Sequence, residues 1–286
     1  MLAQNRCDDD DADMKIHHLN CGSMNPPLGG LFRSPGAPAA MAPLVCHVLL
    51  VETEAGLVLV ESGFGLADID QPGKRLGRAF MTMTGPALAR AETAREQIRE
   101  LGLDPDDVRH ILLTHLDIDH AGGIADFPGA RVHVLADEYE ATLAGRSLLE
   151  KTRYRDAQWA HAPDWALHQP DGEPWQGFAA VRDLPGLPPE ILMIPLAGHT
   201  RGHAGIAVQG DDGWLLHAGD AFFNHGQMAD HANCPVALRA FQRMVCEDSP
   251  RCRDNIERLR GLALDDNAGV RVFCAHDPRD LIQLRD

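Results

Sequence analysis

Apolar residues occur along most of the chain in short runs separated by polar, glycine-rich segments. Such runs, rich in β-branched residues, are typical of buried strands. Amphipathic or helix-like patterns instead mark 86–101, 137–149 and 235–264, the last with a break at Ser249-Pro250. The predicted strands cover 14–21, 44–53, 57–62, 109–114, 131–135, 191–196, 205–209, 214–217 and 270–274. Strands that alternate with helices in this way place the chain among α/β proteins.

Three segments depart from this alternation. Residues 1–13 contain four consecutive aspartates, and we expect a disordered acidic tail there because like charges repel one another. Residues 14–286 are expected to form a single domain. The segment 22–43 is rich in proline and glycine, which favours a flap over a site or a surface loop. The segment 150–190 is irregular and rich in aromatic residues, and it is either a lid over substrate or an insert whose rings anchor it on the core.

The composition limits the partners and the location of the protein. A formal net charge of −16 over 286 residues argues against nucleic acid, which needs a basic surface, and favours small or neutral substrates. The seven cysteines contain no C-x-x-C pair, which predicts neither a disulfide framework nor a zinc knuckle and favours a reducing cytoplasm. We expect no signal peptide and no membrane span, because no apolar run has the required length.

The stretch 113–123 concentrates the side chains most capable of chemistry. It follows a predicted strand and contains two histidines and two aspartates: His115, Asp117, Asp119 and His120. Ligands on a loop can converge, whereas the same residues along a strand would point to opposite faces. Imidazole and carboxylate groups bind zinc, manganese or iron. Helix capping would need one aspartate and would not explain the histidines.

Three further strand ends deliver residues of the same kind. His199 follows the strand at 191–196, Asp220 follows 214–217, and His276 follows 270–274. Strand ends with such residues recur too often in this chain to be attributed to chance.

Together these motifs resemble the metallo-β-lactamase-fold hydrolases over nearly the whole chain. The resemblance rests on Glu61-Ser62-Gly63, a His-x-x-x-Asp-His loop, a Gly-His-Thr-x-Gly-His loop, a Gly-Asp turn and a last histidine after a strand. It implies an αβ/βα sandwich of two mixed sheets flanked by helices, with a two-metal site at the sheet edges. The implied ligands are His115, Asp117 and His199 for one ion, Asp119, His120 and His276 for the other, and Asp220 as the bridge. Glu61 and His203 would support these ligands from outside.

The resemblance also implies a reaction. Two divalent ions, zinc first and manganese or iron as alternatives, would hold a bridging hydroxide that attacks the carbonyl of a small lactone or ester. Asp119 would orient the hydroxide and Asp220 would hold the metals. Thioesters and β-lactams stay open as substrates, and a homodimer stays open as the assembly. The alternative from another class is an iron-dependent redox enzyme, similar to the di-iron oxygen or nitric oxide reductases or to a sulfur dioxygenase.

Residue 117 departs from the family pattern, because most members have histidine where this chain has Asp117. A carboxylate is a harder ligand than imidazole, so the site should accept manganese or iron more readily. It also makes the centre one charge less positive, which lowers the acidity of a bound water. We therefore predict a more alkaline activity optimum or a preference for reactive substrates. The other interpretation is that Asp117 does not bind metal.

Size and layout match the lactonase and esterase members best. Those enzymes often carry a tyrosine shortly after the bridging aspartate, where this chain has Phe222-Phe223. The side chains that we predict to contact substrate are Phe223, His225, Arg201, Trp159 and Trp165.

Overall fold

Two β-sheets packed face to face form the centre of the fold, as seen in a computed structural model that describes residues 14–34, 41–181 and 184–285. The predicted acidic tail at 1–13 lies outside the described residues. The first sheet has the order β1-β2-β3-β4-β5-β6. Its strands are β1 (Lys15–Met24), β2 (Leu44–Thr53), β3 (Gly56–Val60), β4 (Val108–Leu112), β5 (Arg131–Leu135) and β6 (Asp164–His168). The first three strands pair antiparallel and the remainder pair parallel.

The second sheet is smaller and also mixed. A two-stranded hairpin, β7 (Glu173–Trp175) and β8 (Phe178–Ala180), comes before it in the chain. The strands of the second sheet are β9 (Ile191–Pro195), β10 (Ala204–Gly210), β11 (Gly213–His217) and β12 (Val270–Phe273), in the order β12-β11-β10-β9. Only β11 and β12 pair parallel. This arrangement confirms the predicted αβ/βα sandwich of mixed sheets.

Helices cover the outer faces of both sheets. They are α1 (Leu66–Asp70), α2 (Pro72–Arg75), α3 (Arg78–Thr84), α4 (Ala94–Glu100), α5 (Ile118–Ala121), α6 (Ala136–Ala144), α7 (Leu148–Arg153), α8 (Val236–Val245), α9 (Ser249–Ala263) and α10 (Pro278–Arg285). Short 3-10 turns occupy Gly29–Phe32, Arg90–Glu92, Pro105–Asp107, Gly122–Asp126, Asp156–Gln158 and His225–Gln227. Among the described residues, no helix combines the length and apolarity needed to cross a membrane.

The first sheet is buried on both faces, by the second sheet on one side and by helices on the other, which accounts for the continuous apolar run of β2. Leu49 and Val51 of β2 face the second sheet, where they pack with Ile206. Val48 and Leu50 of the same strand face the outer helices. A strand that is buried on both faces reads as an unbroken apolar run rather than an alternating one.

Two predicted helices are shorter than their sequence pattern suggested. The segment predicted as a helix from residue 86 becomes α-helical only at Ala94, because Leu88 has a left-handed φ of 50° and Thr93 caps the helix by accepting a hydrogen bond from the Glu96 N–H. The helix predicted over 137–149 ends at Gly145, which has a left-handed φ of 50°. The chain then starts α7.

Segment 150–190 is tied to the body of the protein. It supplies β6 to the first sheet and the β7–β8 hairpin. Trp159 and Trp165 pack against the core, and Trp175 packs against Trp214. Of the two interpretations given above, the structure supports the one in which the rings anchor the insert.

One cysteine pair is bonded, although the sequence predicted no disulfide framework. Cys246 and Cys252 form a disulfide between the end of α8 and the first turns of α9. Their spacing matches no common disulfide or zinc motif, and only the turn between the two helices brings them together.

Candidate metal centre

The seven predicted ligands converge at one edge of the sandwich. The loop after β4 and the short helix α5 carry four of them, and the segments after β9, β11 and β12 carry the others. All except Asp117 have low solvent exposure, and Asp117 has a side chain that is 15% exposed. They are His115, Asp117, Asp119, His120, His199, Asp220 and His276.

The first group of ligand atoms contains His115, Asp117 and His199, and these atoms lie within 4.8 Å of one another. Nε2 of His199 lies 3.1 Å from Oδ2 of Asp117. Nε2 of His115 lies 3.5 Å from the same oxygen. The arrangement leaves room for one ion between three atoms that a divalent metal accepts as ligands.

The second group contains His120, Asp220 and His276, again within 4.8 Å. Oδ1 of Asp220 lies 3.0 Å from Nε2 of His276 and 3.4 Å from Nε2 of His120. Oδ2 of Asp119 lies 3.5 Å from Nε2 of His276. Asp119 therefore stands beside this group.

Asp220 reaches both groups. Its Oδ1 faces His120 and His276, whereas its Oδ2 lies 3.4 Å from Nε2 of His199 and 3.8 Å from Nε2 of His115. The two oxygens of a carboxylate can bind two different ions only if they face two ligand sets in this way. Asp220 thus presents one oxygen to each group.

Glu61 and His203 contact the ligands from outside. Glu61 accepts a hydrogen bond from the Thr114 N–H at Oε1 and lies 3.2 Å from Nδ1 of His120 at Oε2. It does so with a φ of 71°, a conformation that is costly for a residue other than glycine. Nε2 of His203 accepts a hydrogen bond of 3.0 Å from the Asp220 N–H. Burial lowers the pKa of His203 to about 3, so the ring is neutral and able to accept this bond.

The turn before Asp220 depends on glycine. Gly219 has a φ of 53°, and a Cβ atom there would lie 2.7 Å from Nε2 of His203. Any larger residue would displace the ring that holds the Asp220 backbone.

Unpaired buried atoms show that the site fits metal ions. Nε2 of His115, Nε2 of His120 and Oδ1 of Asp220 are buried and have no hydrogen-bond partner among the described residues. Buried polar atoms are normally paired, because leaving them without a partner costs free energy. A set of histidine nitrogens and carboxylate oxygens suits zinc, manganese or iron, and divalent ions would satisfy these atoms.

The surroundings of His115 and Asp117 set the protonation of these two side chains. Burial lowers the pKa of His115 to about 3, which keeps it neutral. Burial would raise the pKa of Asp117, but the Arg153 guanidinium and His115 outweigh it and hold that pKa well below its usual value. Asp117 is therefore ionised.

Glu138 is a structural link that the sequence did not reveal. Its Oε1 accepts hydrogen bonds from the Leu116 N–H at 2.9 Å and the Tyr154 hydroxyl at 3.1 Å. Its Oε2 accepts them from the Thr200 hydroxyl at 2.6 Å and the Gly202 N–H at 3.1 Å. One buried carboxylate thus joins the loop that carries His115 to the loop that carries His199. Nothing in its helical context distinguished it from a surface glutamate.

A largely apolar cavity of about 380 Å³ opens above the ligands. Its volume is in the range typical of small-molecule sites. Phe223, one of the residues predicted to contact substrate, lines it. The other apolar lining residues are Met24, Leu44, Ala79, Phe80, Met83, Ile118, Leu149, Phe241, Met244 and Val245.

The other predicted substrate contacts lie elsewhere. Arg201 forms an ion pair of 2.9 Å with Glu150. Nδ1 of His225 lies 2.7 Å from Asp277, and Trp159 and Trp165 pack against each other on the core. None of these four lines the cavity. For Arg201 and His225, proximity in sequence to a predicted ligand did not place the side chain in the cavity, because each pairs with a carboxylate outside it.

Comparisons with known proteins agree with the geometry. The profile of the Metallo-beta-lactamase superfamily matches residues 41–267. A probable metallo-hydrolase of Mycobacterium tuberculosis is 45% identical over 271 residues, which cover 95% of this chain and 82% of that protein. An N-acyl homoserine lactonase of Azorhizobium caulinodans is 25% identical over 287 residues, with 93% and 94% covered.

Solved structures extend the similarity to the whole fold. An N-acyl homoserine lactone hydrolase with the product N-hexanoyl-L-homoserine bound at its catalytic metal centre superposes with a TM-score of 0.68. It is 20% identical, and the match covers 95% of this chain and 96% of that one. The chain therefore belongs to the metallo-β-lactamase superfamily and is a metallo-hydrolase.

Proposed function

We propose that the protein holds two divalent metal ions and hydrolyses a small, neutral lactone or ester that carries an apolar group. The observation that carries this proposal is the position of Asp220, whose two oxygens face two separate ligand groups at the floor of an apolar cavity. The N-acyl homoserine lactonases among the similar proteins support a lactone as the substrate class.

Asp119, Glu61 and His203 would have different roles in hydrolysis. Two divalent ions at this site would polarise the substrate carbonyl and supply an activated water at neutral pH. Asp119 lines the cavity with a side chain that is 11% exposed, so its carboxylate can accept a hydrogen bond from the attacking water and orient it. Glu61 and His203 keep His120 and Asp220 in place while the substrate binds.

The lining of the cavity favours an uncharged substrate. Among the described lining residues, Arg153 is the one lysine or arginine. Its Nη atoms donate to the backbone oxygens of His199 and Val245, so they are not free to bind a substrate carboxylate or phosphate. Apolar side chains form most of the remaining wall, and they suit an alkyl or acyl chain.

Metal analysis followed by a substrate panel tests the proposal. Protein purified without added metal and reloaded with zinc, manganese or iron is assayed on lactones, esters, thioesters and β-lactams with short and long acyl chains. We expect two metal equivalents per chain and the highest kcat/KM on a lactone or ester with an apolar chain. His120→Ala is the control and should lose one equivalent and most of the activity. Bound iron with oxygen or nitric oxide turnover, and no hydrolysis, would support the redox alternative instead.

A further inference from the structure

Arg153 is a buried cation that contacts Asp117 and the backbone of His199 and Val245. It lies at the last residue of α7, and its side chain is only 7% exposed. One Nη atom donates to the backbone oxygen of His199 at 2.9 Å, and the other donates to that of Val245 at 2.5 Å. These two bonds hold the planar guanidinium in one orientation.

The remaining nitrogen of Arg153 faces Asp117. Its Nε lies 3.4 Å from Oδ1 of Asp117, and both atoms are buried without a hydrogen-bond partner among the described residues. The other oxygen of Asp117, Oδ2, is the one that faces His115 and His199. The two oxygens of this carboxylate therefore have separate surroundings, a guanidinium on one side and two imidazoles on the other.

We propose that Arg153 is a positioning residue that holds Oδ1 of Asp117, so that Asp117 binds metal through Oδ2 alone. A free carboxylate can rotate or bind an ion through both oxygens, and an outer partner that restrains it fixes one binding mode. The inference rests on the proposed two-metal site, and it answers whether Asp117 takes part in that site. Arg153 is not a catalytic residue in this role, because its contacts are with protein atoms.

The pair also changes the charge of the centre. Asp117 and Arg153 are together neutral, as an imidazole ligand would be. The more alkaline activity optimum was predicted from the negative charge of Asp117 alone, without a nearby positive charge. Arg153 returns the missing positive charge within 3.4 Å of that carboxylate, which removes the basis for that prediction.

A comparison of backgrounds tests the role. Zinc affinity is measured by competition with a chromophoric chelator, with the two equivalents resolved, for wild type, R153M, R153K, D117H and D117H/R153M. In protein that keeps Asp117, R153M should weaken one equivalent about tenfold and leave the other unchanged. R153K keeps the positive charge but lacks the planar fork of the guanidinium, so its zinc affinity should lie between those of wild type and R153M. Added to D117H, R153M should cause no weakening, because no carboxylate remains to be held.

A second readout needs no metal. In chelator-treated protein, D117H leaves the buried guanidinium without its counterion and should lower the Tm, and adding R153M should restore part of that loss. R201M is the matched control, because Arg201 is an arginine near His199 that pairs with Glu150 and does not line the cavity. It should leave zinc affinity unchanged.

The outcomes separate the two proposals. Equal weakening by R153M in both backgrounds would overturn the positioning role, because Arg153 would then act through the His199 and Val245 backbones alone. Unchanged affinity in R153M would overturn it as well, and so would R153K binding zinc more weakly than R153M. Wild type that fails to bind two zinc ions would instead refute the two-metal site itself.

Discussion

Substitution of Glu138 should destabilise the protein and loosen the metal centre together. Its carboxylate accepts four hydrogen bonds, and these join the loop that begins the first ligand stretch to the loop that carries His199. Two of the four donors are backbone N–H groups, those of Leu116 and Gly202, which cannot rotate towards another acceptor. The hydroxyls of Thr200 and Tyr154 can turn.

The hydrogen bonds set the expected magnitudes. A buried donor left without a partner costs about 1–3 kcal/mol, so Glu138→Ala should cost about 3 kcal/mol or more in the free energy of unfolding. Glu138→Gln keeps one acceptor oxygen but places an NH₂ group against donors on the other side, which should cost about 1–2 kcal/mol. Tyr154→Phe removes one rotatable donor and should cost about 1 kcal/mol or less.

Urea unfolding of chelator-treated protein measures this order, and chelator competition measures the zinc affinity. Both loops carry ligands, so Glu138→Gln should weaken zinc binding at least about tenfold, while Tyr154→Phe should change it little. Burial raises the pKa of Glu138, and Asp117 adds to this effect by like-charge repulsion. A Glu138→Gln variant as stable as wild type would refute the reasoning, because relief of that repulsion would then outweigh the hydrogen bonds.

Three further predictions address other parts of the molecule. Burial lowers the pKa of His133 to about 3; stability should therefore fall as pH drops below about 6.5, by about 2 kcal/mol for this residue at pH 5. His133→Asn should flatten that slope in urea unfolding at a series of pH values, and an unchanged slope would contradict it. Glu61→Gln keeps the bond to the Thr114 N–H but loses the charge beside His120; zinc affinity should fall about 10–100-fold by chelator competition, and wild-type affinity would exclude the role. Met244 lines the cavity and is 57% exposed; Met244→Ser should raise KM about fivefold for long acyl substrates, from about 1 kcal/mol of lost apolar contact, while equal changes for short ones would argue against an acyl site.

The elements that carry the ligands were predictable because their signals are local. Strand β5 was predicted at its observed bounds, and the strands before His199, Asp220 and His276 were predicted to within a residue or two. An apolar run followed by glycine and a histidine or aspartate reports on residues that are adjacent in sequence. The errors in the bounds of two predicted helices arose at Leu88 and Gly145, since left-handed conformations at those positions interrupt a pattern that otherwise continues as a helix.

The pairings of charged side chains could not be predicted from local sequence patterns. Arg201 was predicted to meet substrate because it lies beside His199, but it pairs with Glu150, 51 residues away. His225 pairs with Asp277, 52 residues away. The direction of a loop side chain depends on which element packs against the loop, and that information is not local.

By itself, the sequence determined the fold class, the family and the candidate metal ligands, because strand patterns and ligand spacings are properties of short segments. Only the tertiary structure decided how those residues are held. Glu138 joins two loops across 62 residues, and Arg153 reaches the His199 backbone across 46. A buried charge is retained only where distant groups pair with it, and such partners become neighbours only after the two sheets and their helices have packed.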